Sequence, residues 1–198
     1  TRKESSAASD VYKRQMKQRH GHLVESLSDL QDDIRLLVIG RVGEDSTRSA
    51  QSLGSQIEAI VRTIHRPTLI TTSHFRKPET VMVAFDGSAT GHKTLQMLAS
   101  SPLCEGLPIH IVMVGTDSED NQNALEKART TLASSGSLVH SEIRPGEVES
   151  TLHAYQAEHG IDLLVMGAYG HSRIRQFLIG STTTTMLRTS TVPLLLLR

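Results

Sequence analysis

The chain contains no tryptophan, and aromatic residues make up only 3% of it. A protein that holds single-stranded nucleic acid by stacking bases on rings needs more than that. An excess of charge is missing too, since 21 Lys and Arg balance 21 Asp and Glu. General attraction to DNA, RNA or an acidic membrane surface therefore has no electrostatic basis. Long apolar runs are absent. The longest purely aliphatic stretch, Leu194 to Leu197, falls far short of the roughly 20 residues that a bilayer span requires. A single cysteine, Cys104, excludes an internal disulfide and suits a reducing compartment. Following Pro102 and Leu103, it reads as a small buried hydrophobe rather than a reactive thiol. Together these absences predict a cytoplasmic protein with neither nucleic acid nor membrane as partner. Residues 1–15 (TRKESSAASDVYKRQ) begin without Met and lack the apolar centre of a signal peptide. They read as a disordered or non-native segment of what looks like a fragment, and they stand outside the fold prediction.

What is present repeats itself. Ile34, Leu36, Leu37 and Val38 align with Ile161, Leu163, Leu164 and Val165, and Gly40 and Gly43 then fall on Gly167 and Gly170. After one extra residue in the first copy, Gly54-Ser55 matches Gly180-Ser181, Arg62-Thr63 matches Arg188-Thr189, and Pro67 matches Pro193. So many matches in order read as a duplication. The copies are unequal upstream, which predicts a truncated first repeat over 16–76 and a complete second domain over 77–198.

Periodicity in the second copy alternates between buried strands and helices. The apolar runs TVMVAFD, LPIHIVMVG, IDLLVMG and TVPLLLLR, with the more polar SLVHSEIRPG, give five strands. Four helical stretches separate them, two closed by Gly136 and Gly160. Val/Ile/Leu runs without alternation suit strands covered on both faces. The prediction is an α/β fold, a doubly wound open parallel sheet of five strands in the order 3-2-1-4-5, preceded by a partial copy of itself.

In such sheets ligands bind beyond the carboxyl ends of strands, where the strand order reverses. That point lies between the first and fourth strands, whose ends carry Asp86-Gly87-Ser88 and Gly167-Ala168-Tyr169-Gly170. Gly167 and Gly170 allow backbone N–H groups to approach a ligand closely. Gly180 leads into a helix whose first N–H groups lack internal partners, with Ser181, Thr182 and Thr183 adding hydroxyls where the dipole favours an anion. The dipole contributes roughly 0.3–1 kcal/mol, whereas micromolar binding needs about 8 kcal/mol. A phosphate attached to a flat base fits such a site better than free phosphate. Each piece has a plainer reading: glycine merely turning a βα loop, Asp86 merely capping the next helix, His92 and His171 merely solvated. The stretch Gly87 to Thr94 fails the phosphate-loop spacing because Gly91 comes one residue early, and no dinucleotide fingerprint exists.

G-x-x-G, nine residues, then G-S is similar to the ATP-binding signature of the universal stress protein family, and Gly167, Gly170, Gly180 and Ser181 fit it without a gap. Val83-Ala84-Phe85-Asp86 and the closing VPLLLL strand resemble that family as well. The resemblance covers the whole second copy and, in reduced form, residues 33–72. It implies an adenine-nucleotide-binding regulatory protein acting in stress response. Base and ribose would lie against Ala84, Phe85, Asp86 and Met113. The phosphates would lie against Met166, Gly167, Tyr169, Gly170, Gly180, Ser181, Thr182 and Thr183, with Mg2+ or Mn2+ carried by them. The resemblance further implies that the last strands, Pro193 to Leu197 and Pro67 to Thr71, pair with each other or across a homodimer. The first copy lacks the aspartate strand and has Gln56 and Ile57 in place of Thr182 and Thr183, so it should have no competent site. Two other readings remain: an interaction module with a vestigial site, and a slow ATPase or self-phosphorylating protein, the latter without a visible base or phosphate-loop lysine.

Overall fold

The apolar runs of the second copy form strands whose residues are largely buried on both sides. In the computed structural model, which describes residues 18–41, 50–74, 76–168 and 181–198, the elements follow in chain order. They are α1 (Leu23–Leu30), β1 (Leu37–Gly40), α2 (Ala50–Thr63), β2 (Thr68–Thr71), β3 (Val81–Ala84) and α3 (Ala89–Ala99). Then come β4 (Ile109–Val114), α4 (Glu119–Ala133), β5 (Val139–Arg144), α5 (Val148–His159), β6 (Leu163–Gly167), α6 (Ser181–Thr189) and β7 (Leu194–Leu197).

The seven strands make one sheet in the order β1-β2-β7-β6-β3-β4-β5. Its last five strands reproduce the 3-2-1-4-5 order, all parallel. β1 and β2 pair in parallel, and β2 pairs antiparallel with β7, placing Leu69 opposite Leu195. The stretches around Pro67 to Thr71 and Pro193 to Leu197 thus meet within this chain. Register repeats as well: Leu37 lies beside Thr68 and Val38 beside Leu69, as Leu164 lies beside Leu194 and Val165 beside Leu195.

Two cores sandwich the sheet. On one face Val81, Val83, Ile109 and Ile111 pack with Leu95 and Leu98 of α3 and Leu125, Ala128 and Leu132 of α4. On the other, Met82, Val112, Leu164 and Leu196 pack with Ile57 and Val61 of α2, Leu152 and Tyr155 of α5, and Met186 and Leu187 of α6. Cys104 is 2% exposed, the buried small hydrophobe expected of it.

Helix ends follow local chemistry. Ser88 caps α3 by accepting from the Gly91 N–H, and Ser118 caps α4 by accepting from the Asn121 N–H. Gly160 ends α5 in the left-handed region at φ 59°, where a side chain would be strained. One expectation differs at a helix start. The alignment puts Gly54 at the entry of its helix, but the described part of α2, Ala50–Thr63, already runs through Gly54.

Candidate functional site

β3 and β6 are parallel neighbours, with Ala84 beside Met166. The Asp86 turn and the chain after Gly167 therefore leave the sheet at the same edge, where the sequence places its crevice. Asp86 is exposed, and one of its carboxylate oxygens accepts the Ser88 N–H at 3.0 Å. The capping of α3 itself falls to Ser88, whose hydroxyl accepts from the Gly91 N–H at 3.0 Å. Asp86 is thus held in a tight turn with its carboxylate at the surface. Gly87 beside it takes φ 71°, a conformation that favours glycine.

The turn rests on α3 and β4. A Cβ on Gly91 would stand 2.8 Å from the Asp86 Oδ1 and 3.1 Å from the Phe85 ring. Gly91, which the spacing argument set aside, lets helix and turn come this close. Below Gly87 lies Met113, its Cε 3.9 Å from where a Cβ would be. Met113 thereby connects the second strand to the Asp86 turn.

Phe85 contributes differently from its neighbours. Its ring is buried among Val83, Leu95 and Met113, meets His92 edge-on at 5.1 Å, and its N–H donates to the Val112 carbonyl. The ring belongs to the core, not to the crevice. Ala84 is half-buried, and Met166, at 6% exposure, packs on the opposite face with Leu164 and Met186.

At the end of β6 the glycine requirement has a packing cause. A Cβ on Gly167 would lie 2.9 Å from the Thr90 Cγ2 and 3.3 Å from the Thr94 Oγ1, both on α3. Thr94 is 1% exposed, and its hydroxyl has no hydrogen-bond partner among the described residues. A buried, unsatisfied hydroxyl directly under the edge of the crevice calls for an explanation. Tyr169, Gly170, Gly180 and His171 lie outside the described residues, as does Gly43 of the first copy. Among the described residues α6 spans Ser181–Thr189, with Thr182 half-buried and Thr183 buried. The hydroxyl of Thr184 is engaged away from the crevice, donating to Glu58 at 3.2 Å.

The described pieces are a surface carboxylate held in its turn, a threonine-rich helix over Ser181–Thr189, and a thioether beneath the turn. Among the described residues, no group of three or more His, Cys, Asp or Glu could hold a metal ion.

Comparison with known proteins decides the family. The model for the universal stress protein family matches residues 78–198. The chain belongs to the universal stress protein family. It is 40% identical over 186 residues to a universal stress protein of Synechocystis sp., a match spanning 93% of this chain and 65% of that relative's length. A universal stress protein structure from Archaeoglobus fulgidus superposes with a TM-score of 0.68 at 20% identity, covering 88% of this chain and 64% of that one. Another, a universal stress protein in complex with cAMP, superposes with a TM-score of 0.53 at 22% identity, covering 62% of this chain and 98% of that one. At these identities the structures establish the Rossmann-like fold.

A second cluster lies toward the amino ends of β4 and β5, and the sequence reading missed it. His110 and His140 are cross-strand partners, with ring centroids 5.3 Å apart. His159 of α5 stacks on Tyr155 at 4.1 Å and stands 5.2 Å from His110. The Tyr155 hydroxyl hydrogen-bonds His110 Nδ1 at 2.9 Å. Burial, then the adjacent His140 and His159, lower the pKa of His110 from its ordinary value. Burial pushes Tyr155 up to about 12. The register of β5 against β4 brings His110 and His140 together, and the packing of α5 on β4 adds Tyr155 and His159.

Proposed function

We propose that the crevice at the carboxyl ends of β3 and β6 binds an adenine nucleotide, and that the protein is a cytoplasmic, nucleotide-responsive regulator of the stress-response type. The adjacency of β3 and β6 supports this most directly, because it brings the Asp86 turn and the Gly167 strand end to one edge. The cAMP complex of a related fold supports adenine as the base. Ala84, Asp86 and Met113 would line the base and ribose side. Gly167, Tyr169, Gly170, Gly180, Ser181, Thr182 and Thr183 would take the phosphates, ATP carrying Mg2+ or Mn2+ with it. Nucleotide bound there would bias the α6 entry, and with it the contact between α6 and α2.

We also read residues 16–76 as a truncated repeat of the 77–198 domain. The residue-for-residue match of the β1/β2 register to the β6/β7 register supports that reading. Gly54 lies within α2 rather than ahead of it, which supports a single competent site.

The test is extraction. Protein purified without added nucleotide is denatured, the released small molecules are chromatographed, and the refolded or fresh protein is titrated calorimetrically with ATP–Mg2+ and with cAMP. Released adenine nucleotide or saturable heat is the expected result. Neither release nor heat at millimolar ligand would overturn the proposal.

A further inference from the structure

The contact between β2 and β7 has the form of a two-fold contact. Leu69 faces Leu195, while Thr68 faces Leu196 and Ile70 faces Leu194. In the alignment of the two copies, Leu69 and Leu195 are counterparts, as are Thr68 with Leu194 and Ile70 with Leu196. The central residue thus meets its own counterpart and the flanking pairs exchange places. Identical units make self-complementary contacts of this kind around a two-fold axis. As far as the strand backbone is concerned, a second copy's α6–β7 would fit the β7 edge as well as this chain's own α2–β2.

Side chains on the covering helices break that equivalence. Glu58 of α2 is the counterpart of Thr184 of α6, and Arg62 is the counterpart of Arg188. The Glu58 Oε1 accepts from the Thr184 hydroxyl at 3.2 Å and from Arg62 Nη2 at 2.6 Å. The Glu58 Oε2 lies 3.7 Å from Arg188 Nη2. Its side chain is only 20% exposed, so the carboxylate is partly shielded from water and salt. One carboxylate therefore serves both guanidinium groups and the hydroxyl. Pairing two copies of α6–β7 in this register would set Thr184 against Thr184, with both Arg188 groups near the axis and no carboxylate between them. Like charges across such a contact select against the wrong partner more than unlike charges strengthen the right one.

We propose that Glu58, bridging Thr184, Arg62 and Arg188 where α2 crosses α6, is the specificity determinant that makes this chain's own α2–β2 the partner of β7 in preference to a second copy. The proposal is independent of any nucleotide, and its test uses nucleotide-free protein throughout. The wild-type chain is compared with Glu58→Gln, Glu58→Arg and the exchange Glu58→Arg/Arg188→Glu. Mass is followed by sedimentation velocity over a dilution series, and amide exchange is followed in β2 and β7. Glu58→Arg is expected to speed exchange in β2 by about tenfold or more and to raise the dimer fraction with concentration. Glu58→Gln, which keeps the acceptor for Thr184 but removes the charge, should shift both readouts in the same direction by less. The exchange variant should return both toward wild type, which a general loss of folding would not do. Unchanged β2 exchange and unchanged mass in both single variants, or an exchange variant no better than Glu58→Arg, would overturn the proposal.

Discussion

Replacing Thr94 by Val tests the reading of the crevice at its least conspicuous residue. The side chain is 1% exposed and its hydroxyl has no partner among the described residues. A buried hydroxyl left unsatisfied costs about 1–3 kcal/mol relative to one hydrated or bonded. Val has nearly the same shape, and Thr and Val have similar helix propensities. The substitution should therefore leave α3 packed on Gly167 while removing the unsatisfied group. In the ligand-free protein the expected gain is about 1 kcal/mol, or a rise of roughly 2–4 °C in Tm for a chain of this size. Urea denaturation with an unchanged slope would show that the gain lies in stability alone. Adenine-nucleotide affinity should move the opposite way if the hydroxyl finds its partner only when the crevice is filled. Losing one such hydrogen bond, about 1 kcal/mol, weakens binding roughly fivefold. Thr94→Ser, which keeps the hydroxyl, should retain affinity. A Val variant less stable than wild type by 1 kcal/mol or more would refute the reasoning, because the hydroxyl would then already be bonded in the free protein.

Gly91→Ala should gain the helix propensity of Ala, about 1 kcal/mol, but lose a similar amount against the buried Phe85 ring at 3.1 Å. Stability by urea denaturation should stay near wild type, while calorimetric nucleotide affinity falls at least fivefold as the Asp86 carboxylate is pushed aside. His110 has its pKa lowered in the fold from the ordinary 6.5, by burial and by His140 and His159. The unfolded chain then binds the proton more readily, so His110's contribution to stability is complete above about 6.5 and is lost as pH falls through that value toward the folded one. A His110→Gln variant should show a flatter dependence of urea midpoint on pH between 7 and 5. Burial raises the Cys104 thiol to about 11, so folded protein at pH 8 should leave a thiol reagent unconsumed and urea-unfolded protein should consume one equivalent.

Much of the sheet was legible because parallel strands buried on both faces write themselves as unbroken Val/Ile/Leu runs. TVMVAFD and IDLLVMG could be little else, and the glycines at 136 and 160 marked real helix ends. The order of the five strands then followed from topology, and with it the meeting of Asp86 and Gly167 at one edge. What stayed hidden depends on three-dimensional packing. Gly91 looked like a failed phosphate loop, yet its bareness accommodates the Asp86 carboxylate and the Phe85 ring. Thr94 carries no signal at all in TGHKTLQMLA. Phe85 could have been assigned to the core by counting: Val81, Val83 and Phe85 alternate onto one face. The run of α2 through Gly54 could not have been, because that glycine aligns with Gly180, which the sequence places ahead of its helix.

Direction along the sheet limits what the two halves can share. β2 runs antiparallel to β7, so the carboxyl ends of β1 and β2 emerge at the edge opposite to those of β3 and β6. Among the described residues, the ends of β1 and β2 therefore stand apart from the Asp86 turn. Among the described residues the halves meet where Leu69 faces Leu195, where Glu58 meets Thr184, and where Arg41 and Arg198 donate to the Ser190 and Arg62 carbonyls. Thr184 lies one turn beyond Ser181 in α6, so the Glu58 contact stands one helical turn from the residues proposed to meet the nucleotide.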